Sequence, residues 1–257
     1  MSRAWAPRAR CQTRAASTSR KLPAFRSACK RPSGDRPAAN ATAASGFPDA
    51  LLRGYLEYRD QAHRSQRSEF ERLAVYGQEP KVMVISCCDS RVTPESIFGA
   101  GPGELFVVRN VANLVPPYEP DMQHHSTSAA LEFAVQALKV KHIVVMGHCL
   151  CGGVKAFLDQ ESKPLSPGDF IGKWMTLLEP AANFRCDPVE RAQDPQLAME
   201  YAGVRQSLLN LRTFPCVRIL EEKGRLSLHG AWFDIGSGEM RLLDTETGEF
   251  HSAADLA

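Results

Sequence analysis

Two short segments hold side chains whose types and spacing suit metal chemistry. The first, Ser86-Cys87-Cys88-Asp89-Ser90-Arg91, sets a thiol two residues ahead of a carboxylate and four ahead of a guanidinium. The second, Gly147-His148-Cys149-Leu150-Cys151-Gly152-Gly153, sets an imidazole three residues ahead of a thiol. Zinc takes thiolate sulfur and imidazole nitrogen in tetrahedral geometry, and a reactive zinc site keeps one position exchangeable. Cys87, His148 and Cys151 would supply three ligands. The spacing of His148-x-x-Cys151 suits a turn entering a helix, where Gly152-Gly153 lets backbone pass close to the ion and helix-terminal amides favour ionised sulfur. Cys149 then points elsewhere. Buried free cysteines beside a hydrogen-bonded histidine would give the same letters. Asp89 and Arg91 weigh against that plainer reading, because neither has a reason to lie in an apolar turn unless they form an ion pair with a tunable carboxylate.

Such segments must be carried by elements that bring them together. Val82-Met83-Val84-Ile85, Leu105-Phe106-Val107-Val108 and His142-Ile143-Val144-Val145-Met146 are unbroken β-favouring apolar runs, as strands buried on both faces are. Leu131, Ala134, Val135 and Leu138 stripe a helix over Ser128 to Leu138, giving a strand, a crossover helix and a strand. Two of these runs end in the cysteine-containing segments, and sites in open parallel sheets form just beyond the carboxyl ends of strands. Upstream, Leu51, Leu52, Tyr55, Phe70 and Leu73 recur at helical spacing, as one long helix or two shorter ones ending near Gly77. Downstream, Ala198 to Leu211 reads as a helix, and Leu226 to Ile235 with Glu239 to Leu243 flank Gly236-Ser237-Gly238 as a hairpin. The expected fold is α/β, a mainly parallel central β-sheet flanked by helices, with an N-terminal helical arm and a C-terminal β-hairpin.

Composition narrows the class further. A chain of 257 residues, 44% hydrophobic and 23% charged, is long enough for one sizeable core, so a single domain over residues 46–257 is expected. Residues 1–45 are rich in Arg, Ala, Ser and Pro without apolar periodicity and read as a disordered basic segment, either transit-like or a start-site extension. Ser2 to Gly34 holds nine of the 31 Lys and Arg residues and no acid, leaving 22 basic residues against 29 acidic ones in the rest. That acidic body argues against nucleic acid as a partner. No run reaches the ~18 apolar residues of a membrane span, nor the apolar core of a secretory signal. A soluble, cytoplasmic protein is therefore expected, or one of an organelle matrix if the first 45 residues are a transit peptide. Four of the eight cysteines fall in two tight clusters, which in a reducing compartment favours metal or catalysis over cross-links.

Cys-x-Asp-Ser-Arg followed by Gly-His-x-x-Cys-Gly-Gly closely resembles the β-class carbonic anhydrases of plant-like and bacterial type. Pro102 to Pro117 and Leu228-His229-Gly230-Ala231-Trp232 also look like that family, and the likeness runs from about Phe47 almost to the C-terminus. The resemblance implies a lyase, with Zn2+ held by Cys87, His148 and Cys151, that reversibly hydrates carbon dioxide to bicarbonate and a proton through zinc-bound hydroxide. It makes Asp89 and Arg91 the catalytic pair. Asp89 bonded to Arg91 leaves the fourth zinc position to water, whereas Asp89 turned onto the metal becomes a ligand and blocks it. Regulated members carry a tryptophan three residues before the first cysteine ligand; Val84 stands there, so the open, water-bound state is expected.

By position, Gln78 matches a glutamine that hydrogen-bonds the substrate oxygen, while Phe106 and Val111 match apolar pocket residues and Phe133 replaces a tyrosine. Without the resemblance, Gln78 reads as a solvated loop amide and the other three as core. A homodimer or homotetramer is implied, with N-terminal helices packing on a neighbour and the pocket at the subunit interface. Two rivals share the letters: a same-fold zinc hydrolase acting on carbon disulfide or carbonyl sulfide, and a metal-storage or redox module, which would need none of Asp89, Arg91 and Gln78. Cys88, Cys186 and Cys216 read as core or surface thiols and His124-His125 as a solvated loop.

Overall fold

The structure, a computed structural model, describes residues 46–121, 124–159, 161, 163–183 and 194–256. The basic stretch 1–45 and Cys186 lie outside the described residues. The chain divides into two compact units, Met1–Tyr55 and Leu56–Ala257. What is described of the first is residues 46–55, which open helix α1 (Asp49–Asp60) and leave Leu51 and Tyr55 exposed.

In the second unit α2 (Ala62–Ser65) and α3 (Arg67–Tyr76) follow, separated by the non-helical Gln66 at φ −107°, ψ 20°. The periodic stretch ahead of Gly77 is thus helical in three pieces rather than one or two. His63 stacks on Phe70 at 4.6 Å between ring centroids, which folds α2 back onto α3.

Six strands make one sheet: β1 (Val82–Cys87), β2 (Leu105–Asn110), β3 (His142–His148), β4 (Ser227–Phe233), β5 (Met240–Leu243) and β6 (Phe250–Ser252), in the order β2-β1-β3-β4-β5-β6. The first four run parallel, and β5 and β6 are antiparallel. This is a mainly parallel α/β sheet with a C-terminal antiparallel extension. Both β4–β5 and β5–β6 turns repeat one device: Asp234 and Asp244 each accept a backbone N–H two residues on, at 2.7 Å, and Gly238 and Gly248 follow at φ 76° and 79°. Those positive φ values favour glycine, so the sequence marks both turns.

Between the parallel strands lie α4 (Pro94–Ile97), α5 (Ser126–Glu132) with a π turn over Phe133–Leu138, α6 (Gly152–Leu158), α7 (Phe170–Met175), α8 (Pro195–Thr213) and α9 (Pro215–Glu222). Proline at the first turn suits α4, α8 and α9, since its missing N–H would have no partner there. Asp194 caps α8 by accepting from Leu197 N at 2.9 Å.

On one sheet face Met83, Ile85, Ile143 and Val145 pack with Val204, Leu208 and Leu211 of α8 and Leu131 of α5. Truncating a fully buried residue of that layer, such as Ile143, to alanine would cost about 2–5 kcal/mol. Val84, Met146 and Ala231 face the other way. A third cluster gathers Cys87, Cys151, Val154, Met175, Leu178 and Ala202 at the carboxyl edge of the strands.

Candidate metal centre

Cys87 closes β1 and His148 closes β3; the two strands are parallel neighbours, with Ser86 level with Met146, so both residues emerge at the same edge. Cys151 arrives three residues later, after Leu150 has turned the chain at φ 53°, and stands at the N-cap of α6. The three ligand atoms lie within 4.8 Å of one another, on residues 5%, 1% and 2% exposed. Cys87 Sγ and Cys151 Sγ are 4.0 Å apart. Two sulfurs each ~2.3 Å from one tetrahedral zinc would be separated by about 3.8 Å.

The imidazole is oriented for the same purpose. His148 Nδ1 lies 2.9 Å from the Cys149 carbonyl, to which it donates, and that leaves Nε2 as the ring nitrogen able to bind a metal. Nε2 is buried and makes no hydrogen bond among the described residues. An orphaned buried acceptor costs about 1–3 kcal/mol, a penalty that a bound cation removes. Two sulfurs and one nitrogen converging on one point are a donor set that fits a divalent metal.

Charge is arranged around that point. The neighbouring Cys151 thiol holds Cys87 far below the usual thiol range, against the opposing pull of burial, while proximity to Cys87 and then burial raise Cys151. One sulfur of the pair is therefore ionised readily, and a metal bound there would replace the proton retained by the other. Asp89 follows immediately. Arg91 donates to it through Nε at 2.9 Å, Nη2 at 2.7 Å and the backbone N at 3.0 Å, and reaches the Leu150 carbonyl at 3.2 Å. Arg91, foremost, keeps this carboxyl well below the ordinary carboxylate range. Asp89 Oδ2 stands 3.9 Å from His148 Nε2, at the margin of the cluster.

The loops are braced from behind. Ala112 N donates to Cys87 Sγ at 3.3 Å from a turn in which Ala112 and Asn113 both adopt left-handed φ, 62° and 49°. Non-glycine residues hold such angles only under constraint. Here Asn110 clasps both backbone groups of Leu114 at 2.8 and 2.9 Å, and Trp174 Nε1 donates to the Val111 carbonyl at 2.8 Å. Arg109 donates to the carbonyls of Cys87, Asp89 and Val92 at 2.9, 2.7 and 2.7 Å, fixing the loop that carries the acid. Glu200, 4% exposed, accepts from Cys151 N at 2.9 Å and from Trp232 Nε1 at 3.0 Å. Burial is the largest influence on Glu200 and raises its carboxyl above the usual value.

Among the residues singled out in the sequence, Cys87, His148, Cys151, Asp89 and Arg91 meet at this edge. Cys149 turns away, accepting from Ile235 N at 3.1 Å. Val111 packs in the apolar cluster of the two cysteines. Phe106 and Phe133 meet one another, centroids 6.0 Å apart, but Phe106 pairs with Met83, four residues and so about 13 Å along β1 from Cys87. Gln78 is exposed in the loop ahead of β1, at the strand end opposite Cys87. Within one chain these three do not join the cluster. His125 precedes α5 and contacts Asp121 at 2.6 Å.

Arg109 and Trp232 lie in segments that carry the family resemblance but have no role legible there, and Glu200 and Trp174 are not marked by any motif. Each acts on a residue distant in the chain, and only Glu200 leaves a trace: one acid inside the otherwise uncharged run Ala198 to Val204 of α8.

Residues 82–240 match the family model described as carbonic anhydrase. A carbonic anhydrase of Pseudomonas aeruginosa is 37% identical over 206 residues, 80% of this chain and 91% of that protein. The solved β-carbonic anhydrase CcaA superposes with a TM-score of 0.67 at 30% identity, covering 79% of this chain and 91% of its own. One of two tetrameric β-carbonic anhydrases of Sordaria macrospora superposes at 0.62 with 28% identity, covering 76% and 95%.

Proposed function

The chain belongs to the β-class carbonic anhydrase family and is a carbonic anhydrase, a lyase; from that premise we propose that it hydrates carbon dioxide reversibly to bicarbonate and a proton with Zn2+ held by Cys87, His148 and Cys151. The observation that carries the metal reading is the buried lone pair of His148 Nε2, aimed without a partner at two sulfurs 4.0 Å apart. Zinc there would supply Lewis acidity, lowering the pKa of a water ligand toward about 7.

The chain's own residues do the rest. Two thiolate donors weaken that acidity relative to a three-imidazole site, so a nearby acceptor has more to contribute. Asp89, ionised and clamped by Arg91, would be that acceptor, holding a water beside the cluster by a hydrogen bond and orienting it toward the substrate carbon. With both oxygens engaged by Arg91, the carboxylate would stay off a bound metal, which supports the open state as the resting one. Arg109 holds the Asp89 carbonyl and so fixes where the acid stands.

We assign Val111 to the wall of the carbon dioxide pocket, and Gln78, Phe106 and Phe133 to the same pocket contributed by a second copy of the chain. The distance of these three from Cys87 within one chain supports a homodimer, or a homotetramer built from it, as does the exposure of Leu51, Tyr55, Leu56 and Tyr58 on α1. No described helix is long and apolar enough to cross a membrane. Free thiols at Cys87, Cys88, Cys149, Cys151 and Cys216 support a reducing compartment, and we place the protein in the cytoplasm.

Stopped-flow carbon dioxide hydration, run beside elemental analysis of wild type and Cys87→Ala, tests the proposal. One zinc per chain with rapid hydration, both lost in the variant, is expected. Sulfide release from carbonyl sulfide without carbon dioxide turnover would overturn the substrate, and a metal-free active enzyme would overturn the zinc.

A further inference from the structure

Away from the cysteine cluster, one pair of metal-ligating side chains meets across two strands. His142 opens β3 and His229 is the third residue of β4, where the register sets His142 level with Ser227 and His229 level with Val144. Strand alternation turns both rings to one face: Val144, Met146 and Ala231 share an apolar cluster there, whereas Ile143, Val145 and Leu228 belong to the opposite core. Both histidines are exposed at the margin of that face. His142 Nδ1 and His229 Nε2 lie 3.1 Å apart, so the two rings share a proton along one N–H···N line.

We propose that His142 and His229 form a second metal site, chelating a divalent late-transition-metal cation between their facing nitrogens. Two imidazole nitrogens about 2.1 Å from one ion and 3.1 Å from each other subtend about 95° at it, the angle of cis ligands in a square-planar or octahedral shell. The ring centroids are 5.3 Å apart with planes inclined at 43°, and both side chains are exposed, so solvent could complete the shell. Two changes are required: the rings turn so that both facing nitrogens point outward, and the donor ring shifts to its other tautomer. The inward proton moves through solvent to the remote nitrogen of its own ring, so both imidazoles bind as neutral ligands and no net proton is lost. Burial, and then the presence of His142, hold His229 below the ordinary imidazole value, which favours its neutral, metal-binding form. Imidazole donors select nickel, copper and zinc over magnesium or calcium.

Ni2+ is the probe of choice, because it avoids the thiol oxidation that Cu2+ would bring. Wild-type enzyme carrying its own metal is titrated with Ni2+ by calorimetry, and the zinc content of each sample is followed, so that exchange at Cys87 appears as zinc lost. Wild type is expected to take up one further equivalent with zinc retained. His142→Ala and His229→Gln should each weaken that uptake by more than the about tenfold that loss of an outer-shell partner costs. A His124→Ala/His125→Ala variant should bind as wild type does. Equal uptake by wild type and both strand variants, uptake lost only in the His124/His125 variant, or no uptake by wild type would each overturn the site.

Discussion

Both carboxylate oxygens of Asp89 are taken by Arg91, through Nε at 2.9 Å and Nη2 at 2.7 Å, while Oδ2 remains 3.9 Å from His148 Nε2. The arginine is not a metal ligand, so its removal separates holding the metal from using it. Arg91→Ala should keep most of its zinc and lose turnover by about a hundredfold or more, the scale of a mispositioned proton-handling group. Full activity with full metal would remove the pair from the reaction.

The same contact sets an acid dependence. Arg91 depresses the folded-state pKa of Asp89, so the stability that the pair contributes is complete above the unfolded carboxyl value of about 3.9 and fades as pH falls below it toward the folded value. Between wild type and Asp89→Asn, the difference in melting temperature should hold steady from pH 8 to pH 5 and narrow only below about pH 4. Narrowing between pH 8 and 6 would contradict an ionised, clamped acid.

Glu200 receives the N–H groups of Cys151 and Trp232 on separate oxygens. Glutamine in its place must turn an NH2 toward one of those donors. Glu200→Gln should therefore lose about 1–3 kcal/mol in denaturant melts and release its metal faster to a competing chelator. Wild-type values in both assays would show that the buried acid is incidental.

Adjacent glycines at the head of α6 should behave differently. A Cβ on Gly153 would meet Val111 Cγ1 at 2.8 Å and Ala112 Cβ at 3.2 Å, whereas one on Gly152 would meet nothing within 4 Å. Gly153→Ala should cost about 1–3 kcal/mol by overpacking, and Gly152→Ala should stay within about 0.5 kcal/mol of wild type. Chemical denaturation of the two variants side by side decides it.

If one copy supplies Gln78 and its neighbour supplies Cys87, two crippled chains can repair each other. Cys87→Ala and Gln78→Ala, co-expressed, should recover up to about a quarter of wild-type activity, since half of randomly assembled dimers hold one intact site of two. Activity no greater than the sum of the separate variants would place the pocket within a single chain.

Much of this architecture was readable in the letters. Strands β1 and β3 are continuous apolar runs because both of their faces are covered, and the cysteine-bearing turns follow these two directly; β2 carries the same kind of run but lies at the sheet edge and is only half-buried in the single chain. The β4–β5 hairpin announces itself through Gly236-Ser237-Gly238. Local pattern failed where the cause lies elsewhere in the chain. β6 is three residues long, too short for an alternating signature, and is fixed by pairing with β5. The stripe from Ser128 to Leu138 reads as one α-helix but loosens into a π turn at Phe133, which periodicity does not distinguish. Glu200 looks like a solvated helix charge until Cys151, 49 positions earlier, is folded against it.

Cys87 and Cys151 are 64 positions apart in the chain and 4.0 Å apart in space. A nascent polypeptide therefore has nowhere to seat its ion until synthesis has passed residue 151 and β1 has found β3 beside it. A bound ion would thus lock strands that have already paired, three of the six having been made by then, instead of acting as a seed around which an earlier fragment could gather.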